Sequence, residues 1–482
     1  MATAQSLFIP FAEFGYLAQT GSLCAHIPQS AIQKSPNICL SQKKVVPLHN
    51  EIKTMISKVR FIDLFAGMGG IRKGLELACQ ELGMQTECVF TSEIKPAAIK
   101  ILQQNHPDEI IYGDICSIDA NLIPDFDILC AGFPCQAFSS AGKREGFADT
   151  RGTLFFEVER IILAKKPKGF ILENVEGLVN HDKGKTLETI IHHLLDAGYH
   201  VSYRVLNAKD FGIPQDRKRI YIVGSQKASV SLLDFQKSSS KLSDIFEQGV
   251  KASNSTFANK LLQHFSDKEL YGKSIKDKRG GQNNIHSWDI GLKGEISAED
   301  RQLLNKILTE RRKHQWAEQY GIDWMDGMPL TLQMIQSFAQ DKNLADRLNN
   351  LVQLGYLVYE HPKKKVISKN TNGQEVTRRE YDTTKPKGYN IVAGKLSFEI
   401  SKILDPNDIA PTLVAMDMNK LYVLDNGVLR CLTHREGLRL FGYPEDFKFD
   451  ISQREGFDLL GNTVAVPVIK AVAGRLLETL NY

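Results

Sequence analysis

Residues 58–82 of the chain are KVRFIDLFAGMGGIRKGLELACQEL, and this stretch decides the fold class. Lys58–Leu64 is apolar enough to form a buried strand, and Ile71–Leu82 has the periodicity of a helix. The glycine-rich turn at residues 65–70 joins them, although tight turns need glycine in any protein. A strand, a glycine turn and a helix in this order let backbone N–H groups approach a cofactor. The stretch therefore predicts an α/β domain with a cofactor site at its first turn.

The composition indicates a folded protein of two or three domains in a reducing compartment. The chain has 482 residues, of which 42% are hydrophobic, and a formal net charge of +4. Its 8 cysteines lie at irregular spacings without a Cys-x-x-Cys pair, which suggests neither a disulfide framework nor a metal site. No apolar run approaches the ~20 residues that a membrane span needs, and the first residues lack a basic secretory signal. We therefore expect a cytoplasmic protein that holds no metal and does not enter a membrane.

The α/β pattern occupies two separate parts of the chain. It covers residues 58–225, stops, and resumes at residues 401–482. The intervening residues 226–400 carry 27 basic and 21 acidic side chains, which points to a polyanionic partner, although chance bias on a solvated surface would look the same. Within this insert, two predicted helices followed by a basic β-ribbon would fit a winged-helix module. Residues 1–57 show no motif and form an N-terminal extension of unknown role.

Acidic residues follow the next two predicted strands. Glu93 ends the strand Cys88–Ser92, and Asp114 ends a third, shorter strand. An acid at the end of the second strand is placed to bind ribose hydroxyls, and the later acid can accept from an adenine amine. Each could instead cap a helix N-terminus. The glycine turn, Glu93 and Asp114 would each offer a different kind of contact at three successive strand ends. Chance explains such a set less easily than it explains one acid, and the set favours a nucleoside-containing cofactor.

A cysteine stands in the loop after the next apolar run. That run ends at Ala131, and Gly-Phe-Pro-Cys-Gln follows at residues 132–136. The loop lies at the carboxyl edge of the predicted sheet, where ligands usually bind, and Pro134 restricts the backbone beside the thiol. Cys135 is either a nucleophile or a buried core cysteine, as most free cysteines are. Glu173, in the loop that we expect after a later strand, could share its pocket.

Gln215, Arg217 and Arg219 alternate along the chain before another predicted strand. In an extended stretch, alternate residues share one face. Two fixed guanidinium groups on that face suit an anion such as a phosphate, or the edge of a base. A surface ion pair is the other explanation.

Taken together, these motifs resemble those of the DNA (cytosine-5)-methyltransferase family, in the order of its unpermuted members. The matching stretches are Asp63–Gly70, Pro134-Cys135-Gln136, Glu173-Asn174-Val175, Gln215-x-Arg217-x-Arg219, Arg435-Glu436 and Gly461-Asn462-Thr463-Val464. The resemblance implies an α/β S-adenosylmethionine-dependent methyltransferase fold, Rossmann-like with a mostly parallel sheet. Residues 58–225 would form the catalytic and cofactor-binding domain, which residues 401–482 complete. Residues 226–400 would form a second, smaller target-recognition domain.

The family implies S-adenosyl-L-methionine as the methyl donor. By resemblance, Glu93 would bind the ribose and Asp114 the adenine amine. The other residues that would line the cofactor site are Phe65, Gly67, Gly69, Ile115, Pro134, Leu154, Asn462 and Val464. Ile94 stands where many members of the family have an aromatic residue against the adenine. We therefore expect weaker stacking on that face of the base, with Ile115 covering the other.

The resemblance also implies the chemistry. Cys135 would add to C6 of a cytosine, which makes C5 nucleophilic toward the methyl group. Glu173 would hold N3 and the exocyclic amine, Arg217 the base carbonyl or a phosphate, and Arg219 would lower the pKa of the thiol. The residues expected to contact the DNA are Gln136, Ser139 and Gln215. The cytosine must leave the duplex stack, and the small polar loop at residues 139–147 would close over it.

The single catalytic module resembles the modification half of a bacterial type II restriction system. We expect a monomer that acts on double-stranded DNA and protects it from a cognate restriction endonuclease. An RNA cytosine methyltransferase would have the same core, but the large insert favours duplex DNA, since sequence readout needs a surface that reaches the major groove. A DNA-binding regulator without activity would not be expected to keep Cys135, Glu173 and Asn462 together. A thiol hydrolase would need a histidine beside Cys135, and the motif has none.

Overall fold

The computed structural model describes most of the chain from residue 57 onward. The described ranges are 57–134, 154–253, 255–278, 280–321, 327–369, 375–392, 398–415 and 418–482. The predicted N-terminal extension, apart from its last residue, lies outside these ranges. Three predicted site residues, Cys135, Gln136 and Ser139, also lie outside them, and all the others lie within them.

A seven-stranded sheet forms the centre of the protein. Its strands are β1 (Lys58–Leu64), β2 (Gln85–Ser92), β3 (Ile111–Tyr112), β4 (Ile128–Ala131), β5 (Gly169–Val175), β6 (His200–Asn207) and β7 (Lys218–Ser225). The order across the sheet is β3-β2-β1-β4-β5-β7-β6. Strand β7 is antiparallel to both of its neighbours, and the other paired strands are parallel. The predicted Rossmann-like fold with a mostly parallel sheet is therefore confirmed.

The chain reverses its direction of travel across the sheet between β1 and β4. From β1 the chain moves outward to β2 and β3, and then returns to the other side of β1 as β4. Ligands of such sheets bind in the crevice beyond the carboxyl ends of the strands at this switch point. The glycine-rich turn after β1 and the residues after β4 both lie at this crevice.

Helices cover both faces of the sheet. The first four are α1 (Gly70–Glu81), α2 (Pro96–Asn105), α3 (Leu154–Lys165) and α4 (Lys185–Asp196). Val59 and Phe61 of β1 face the core that α1 covers, whereas Ile62 and Leu64 face the core that α3 and α4 cover. Side chains alternate between the two faces of a strand, so a strand buried on both faces must be apolar almost throughout. This requirement explains why β1 could be predicted with the bounds that the structure gives it.

The insert builds a hydrophobic core of its own. Its helices are α5 (Thr256–His264), α6 (Asp267–Leu270), α7 (Ala298–Glu310), α8 (His314–Tyr320), α9 (Leu332–Gln336) and α10 (Leu344–Gln353). Its strands are β8 (Ser274–Ile275), β9 (Asn284–Ile285), β10 (Leu357–Glu360), β11 (Lys363–Lys369), β12 (Glu375–Tyr381) and β13 (Gly388–Ile391). Fully buried Trp288 packs with side chains of α7, α8, α9 and α10. Helices α9 and α10 are followed by strands that include the expected basic ribbon.

The remaining elements return the chain to the central sheet. They are β14 (Lys402–Leu404), β15 (Leu421–Asp425), β16 (Val428–Cys431), α11 (His434–Arg439), α12 (Gln453–Asn462) and α13 (Val466–Leu480). Strands β14 to β16 join β8 and β9 in a second sheet of order β16-β15-β14-β8-β9. The domain boundary that we expected between residues 400 and 401 therefore falls inside a structural region shared by the insert and the C-terminal part.

Two local predictions are wrong. The Ser-x-x-Asp spacing at residues 297–300 resembles a capping box and predicts one helix to about residue 319. The structure has two helices instead, because the chain leaves the helical conformation between Arg311 and Lys313. Glu173 does not lie in a loop, because β5 continues to Val175. The added length of β5 pairs with β7 over residues 173–175.

Helix α13 fills the core on the α1 side of the sheet. The stretch Gln453–Leu480, which joins α12 and α13, is long and apolar enough to cross a membrane by length and composition alone. However, 72% of its most apolar window is buried inside the protein, which is the packing of a core helix. A Cβ added at Gly74 of α1 would lie 2.4 Å from Cβ of Ile469 in α13. The two helices are therefore in close contact, and that contact requires glycine.

The contact between α1 and α13 can be tested with two matched substitutions. Gly74→Ala should lower the free energy of unfolding by about 1–3 kcal/mol, since it overpacks a buried interface. Gly474→Ala should raise it by up to about 1 kcal/mol, because its added methyl would meet no atom within 4 Å and alanine favours the helix. Chemical denaturation of both variants would check this, and a Gly74→Ala variant as stable as the unsubstituted protein would contradict the packing.

Candidate active site

The glycine-rich turn after β1 has an unusual backbone. Phe65, Gly67 and Gly69 have φ values of 53°, 56° and 81°, in the left-handed region that favours glycine. The turn is fastened to the neighbouring strand by the amide of Ala66, which donates to the carbonyl of Ser92 at 3.1 Å. The strained conformation of Phe65 is thus held by a backbone contact to the end of β2. The predicted cofactor turn is formed, and it faces the crevice.

The carboxylate of Glu93 ties this turn to the start of α2. One oxygen accepts from the amide of Gly67 at 2.7 Å, and the other accepts from the amides of Ile94 and Lys95 at 2.9 and 2.8 Å. An acid that accepts three amide N–H groups is fixed in position. Glu93 therefore lies where the cofactor prediction places it, and it also holds the turn. The contact with a ribose stays a prediction.

The acid after β3 caps a short helix. One carboxylate oxygen of Asp114 accepts from the amide of Cys116 at 3.0 Å, which was the alternative explanation for this residue. Ile94 is 68% exposed and could cover a ligand, whereas Ile115 is only 1% exposed and packs in the core. The structure therefore leaves Ile115 little surface for the adenine contact that we expected.

The C-terminal motif packs against the glycine turn. A Cβ added at Gly70 would lie 2.7 Å from Cγ2 of Val464 and 2.9 Å from Oγ1 of Thr463. The hydroxyl of Thr463 is hydrogen-bonded to that of Tyr443 at 2.6 Å. Val464 thus lies beside the turn as predicted, whereas the exposed side chain of Asn462 donates to the carbonyl of Asp458 at 2.8 Å.

The sheet edge beside the turn carries Asn174, which the sequence interpretation did not assign a role. Its side-chain amide donates to the carbonyl of Phe133 at 3.0 Å and is buried. The bond fixes Phe133 and Pro134, the last described residues before Cys135, against the end of β5. Leu154, predicted to complete the cofactor site, is the first residue of α3 and is partly buried. The only sign in the sequence of a role for Asn174 was its position directly after Glu173, the predicted catalytic acid.

Glu173 and Arg219 form an ion pair at the same edge. Nε of Arg219 lies 3.2 Å from a carboxylate oxygen of Glu173, and both side chains are largely buried. Glu173 is opposite Tyr221 across β5 and β7, so Arg219 is its diagonal neighbour on one face. Burial raises the pKa of Glu173, and the charges of Arg219 and Arg217 oppose part of that rise. The acid is thereby prepared to hold a proton nearer neutral pH than an exposed carboxyl would.

Arg217 does not contact the cleft. Its buried guanidinium donates to the carbonyls of Leu413, Gly461 and Thr463 at 3.1, 3.3 and 2.5 Å. Both terminal nitrogens are thus directed at the protein's own backbone, and the buried Nε has no partner among the described residues. This placement disagrees with the expected contact with the base or a phosphate. Arg217 is instead a positioning residue that holds the C-terminal motif beside the sheet.

Gln215 has the same kind of position. Its side chain is fully buried, donates to the carbonyl of Leu440 at 3.0 Å and accepts from the amide of Leu413 at 3.3 Å. A contact with DNA is therefore contradicted in this structure. The three alternating residues do not form one anion-binding face, because only Arg219 is directed toward the sheet edge.

Arg435 and Glu436 of the matching motifs are also structural. Glu436 is completely buried and accepts two hydrogen bonds from Arg430, at 2.7 and 2.8 Å. It also closes a capping box with Thr433 at the start of α11. The Thr-x-x-Glu spacing could have identified this cap from the sequence. Arg435 donates to two backbone carbonyls.

An open cleft of about 300 Å³ lies beside the ion pair. Its walls are formed by Val175, Glu176, Gly177, Asp216, Lys218, Arg219 and Thr412. The cleft is predominantly polar and reaches the carboxyl end of β5. Within the described ranges, no group of three or more His, Cys, Asp or Glu residues is arranged to hold a metal ion.

Known proteins resemble this chain over most of its length. The family model described as C-5 cytosine-specific DNA methylase matches residues 59–478. The type II methyltransferase M.NlaIV of Neisseria lactamica is 61% identical over 432 residues, which cover 88% of this chain and 100% of the relative. M.NgoBV of Neisseria gonorrhoeae is 60% identical over the same length, with the same coverage. A solved methyltransferase from Entamoeba histolytica is 17% identical, with a TM-score of 0.48 over 88% of this chain and 98% of that one.

The positioning role of Arg217 predicts a large loss of stability on its removal. Arg217→Ala should lower the free energy of unfolding by at least about 3 kcal/mol, because three buried carbonyls lose their donors at about 1–3 kcal/mol each. Lys218→Ala, a substitution at the exposed next residue in the chain, should change it by less than about 0.5 kcal/mol. Denaturant unfolding of the two variants is the measurement, and similar midpoints would show that Arg217 does not hold the structure together.

Proposed function

Because the chain belongs to the C-5 cytosine-specific DNA methylase family, we propose that it methylates a flipped-out cytosine in a specific duplex DNA sequence through a covalent adduct with Cys135. The family assignment makes it a DNA (cytosine-5)-methyltransferase. The covalent adduct, the flipped base and the roles of individual residues are the proposal. One observation carries it: the Glu173–Arg219 pair spans β5 and β7, and Asn174 of β5 ties the segment leading into Cys135 to the same sheet edge.

The crevice fits S-adenosylmethionine, the methyl donor of the family. A Cβ added at Gly67 would meet no atom within 4 Å, so the turn is open where a ligand would approach. Glu93 and Asp114 lie at the ends of neighbouring strands, where acids can accept from ribose hydroxyls and an adenine amine. When bound, the donor supplies a methyl group on a positively charged sulfur. We assign the ribose contact to Glu93 and the wall of the site to Phe65 and Val464.

The first chemical step uses Cys135 and Glu173. The thiolate of Cys135 forms a bond to C6 of cytosine, and the electron pair of the C5–C6 double bond becomes available at C5. Glu173 delivers a proton to N3, which neutralises the charge that builds on the ring. Its pKa, raised by burial, suits this donation. Arg219 holds Glu173 in place through the ion pair.

The second step restores the aromatic ring. C5 takes the methyl group, a base removes the proton from C5, and the bond between sulfur and C6 breaks. The thiolate leaves, the C5–C6 double bond forms again, and N3 returns its proton to the carboxylate of Glu173, so no net change remains on the protein. The reaction needs C5 outside the base stack, which requires the cytosine to be flipped out at a cost of a few kcal/mol.

The biological context that we propose is a type II restriction system. The relatives that are 60–61% identical over their whole length are named type II methyltransferases. In this context the enzyme acts as a monomer in the bacterial cytoplasm and protects DNA from a cognate endonuclease. Bisulfite sequencing of DNA from cells that express the chain should reveal one methylated sequence. Genomic DNA without new 5-methylcytosine, or methylation found only in RNA, would overturn the proposal.

The covalent step predicts a trapped adduct at one cysteine. A duplex that carries 5-fluorocytosine at the methylated position should become attached to Cys135, because fluorine cannot leave C5 as a proton does. Cys135→Ser should abolish the adduct and reduce methyl transfer to background, whereas Cys431→Ser should retain both. Mass spectrometry of the digested complex identifies the attached residue. An adduct on any other cysteine, or full activity of Cys135→Ser, would exclude the mechanism.

The raised pKa of Glu173 predicts an alkaline limit to the reaction. Above its pKa the carboxyl loses the proton that N3 needs, so the single-turnover rate should fall as pH rises through that value. Glu173→Gln should lower the rate by about 10²–10⁴-fold, the usual contribution of a positioned acid, and should abolish this limb of the profile. Rapid-quench measurements over a pH series provide the check. The same alkaline limb in Glu173→Gln would assign it to another group.

A further inference from the structure

The basic ribbon of the insert stands apart from the sheets around it. Strands β11 and β12 pair with each other over their whole length, and no third strand joins them among the described residues. An isolated two-stranded ribbon is only marginally stable in water. Its base is anchored where the amide of Asp382 donates to the carbonyl of Pro362 at 2.8 Å. The rest of the ribbon extends from that base, and its side chains lie on two opposite faces.

The pairing register decides which side chains share a face. Lys365 is opposite Arg379, and Ile367 is opposite Thr377. Residues opposite each other on paired strands point to the same side of the ribbon, and so do alternate residues along one strand. The register therefore shows which side chains share one face. This face, here called the outer face, consists of Lys363, Lys365, Ile367, Thr377, Arg379 and Tyr381.

All six residues of the outer face are exposed. Ile367 is 67% exposed and Tyr381 is 50% exposed, which leaves apolar surface in water beside three cations. The opposite face differs, because Val366, Ser368 and Val376 are partly buried. The outer face is therefore the more accessible of the two to a partner.

The charges of the two faces also differ. The outer face has three cations and no carboxylate among its six residues. The opposite face has two cations, Lys364 and Arg378, but it also carries Glu380, and Lys364 lies 3.6 Å from a carboxylate oxygen of Asp382. The ammonium of Lys363 lies 4.9 Å from the ring centroid of Tyr381, whose hydroxyl donates to the carboxylate of Glu360 at 2.8 Å. A ligand for it must be anionic and must also offer apolar contacts.

We propose that the outer face enters the major groove of the DNA duplex and reads the target sequence. A two-stranded β-ribbon fits the width of that groove. The groove supplies phosphates along its rims for Lys363 and Lys365, guanine edges for Arg379 and thymine methyl groups for Ile367. The inference rests on the proposed function for its substrate, duplex DNA, and adds the element that determines its specificity.

Two adjacent arginines provide the test. Arg379 lies on the outer face and Arg378 on the opposite face, and both are exposed. With a duplex that carries the sequence found by bisulfite sequencing, Arg379→Ala should raise Kd by about 5- to 150-fold, the range for one lost bidentate base contact. Arg378→Ala should change Kd by less than about twofold. Fluorescence anisotropy measures both, and equal Kd values for the two variants would overturn the proposal.

The lysines predict a separate salt effect. Lys363→Gln and Lys365→Gln should each reduce the slope of log K against log salt by about 0.9, because each would remove one phosphate contact. Lys364→Gln on the opposite face should leave the slope unchanged. Since this measurement needs no methyl transfer, it tests the ribbon even if the proposed reaction is wrong.

The outcomes separate the two proposals. If the unsubstituted protein methylates DNA and Arg379→Ala behaves as Arg378→Ala does, the ribbon proposal fails and the proposed function stands. If Arg379→Ala methylates additional related sequences while its melting temperature is unchanged, the ribbon reads bases. If Ile367→Lys converts a dimer to a monomer in sedimentation without affecting Kd for DNA, the face is covered by a second copy and the proposal is overturned.

Discussion

The guanidinium of Arg217 holds together parts of the chain that are far apart in sequence. It donates to carbonyls at residues 413, 461 and 463, while its own backbone amide donates to the side chain of Asn207 at 3.0 Å. A buried cation is costly unless its donors are used, so its neighbours have few alternative positions. The motif at residues 461–464 is thereby fixed beside the glycine turn. The candidate site thus depends on one side chain that joins parts of the chain about 200 residues apart in sequence.

The hydrogen bonds of the motif residues distinguish those that could act on a ligand from those that support the structure. Glu93 is fixed by three amides and Glu173 by Arg219, and both retain a position at the crevice. Gln215, Arg217 and Glu436 are buried and directed at the protein itself. Motif residues of these two kinds look alike in a sequence, yet they would respond to substitution in different ways. Substitutions of the residues at the crevice should affect the reaction, whereas substitutions of the buried residues should first affect folding.

The sequence alone predicted what depends on local periodicity. Strand β1, the glycine turn and α1 were predicted because a strand buried on both faces must be apolar, and the turn needs positive φ values. The serine cap of α7 at Ser297 was predicted for a similar reason, and its hydroxyl accepts from the amide of Asp300 at 3.1 Å. The partners of Arg217 could not be predicted, since they lie about 200 residues away and nothing local signals them. The pairing of β14 with β8 was missed for the same reason.

The placement of α13 has a consequence for synthesis. The central sheet is complete at Ser225, but α13, which covers one of its faces, begins at Val466. At about 5–20 residues per second, the ribosome needs on the order of 10–50 s to make the chain between them. During that interval a growing chain exposes the apolar face that α1 alone does not cover. Such an exposed apolar face favours aggregation, and the glycine turn gains its contact with Thr463 and Val464 only when the last part of the chain has been made.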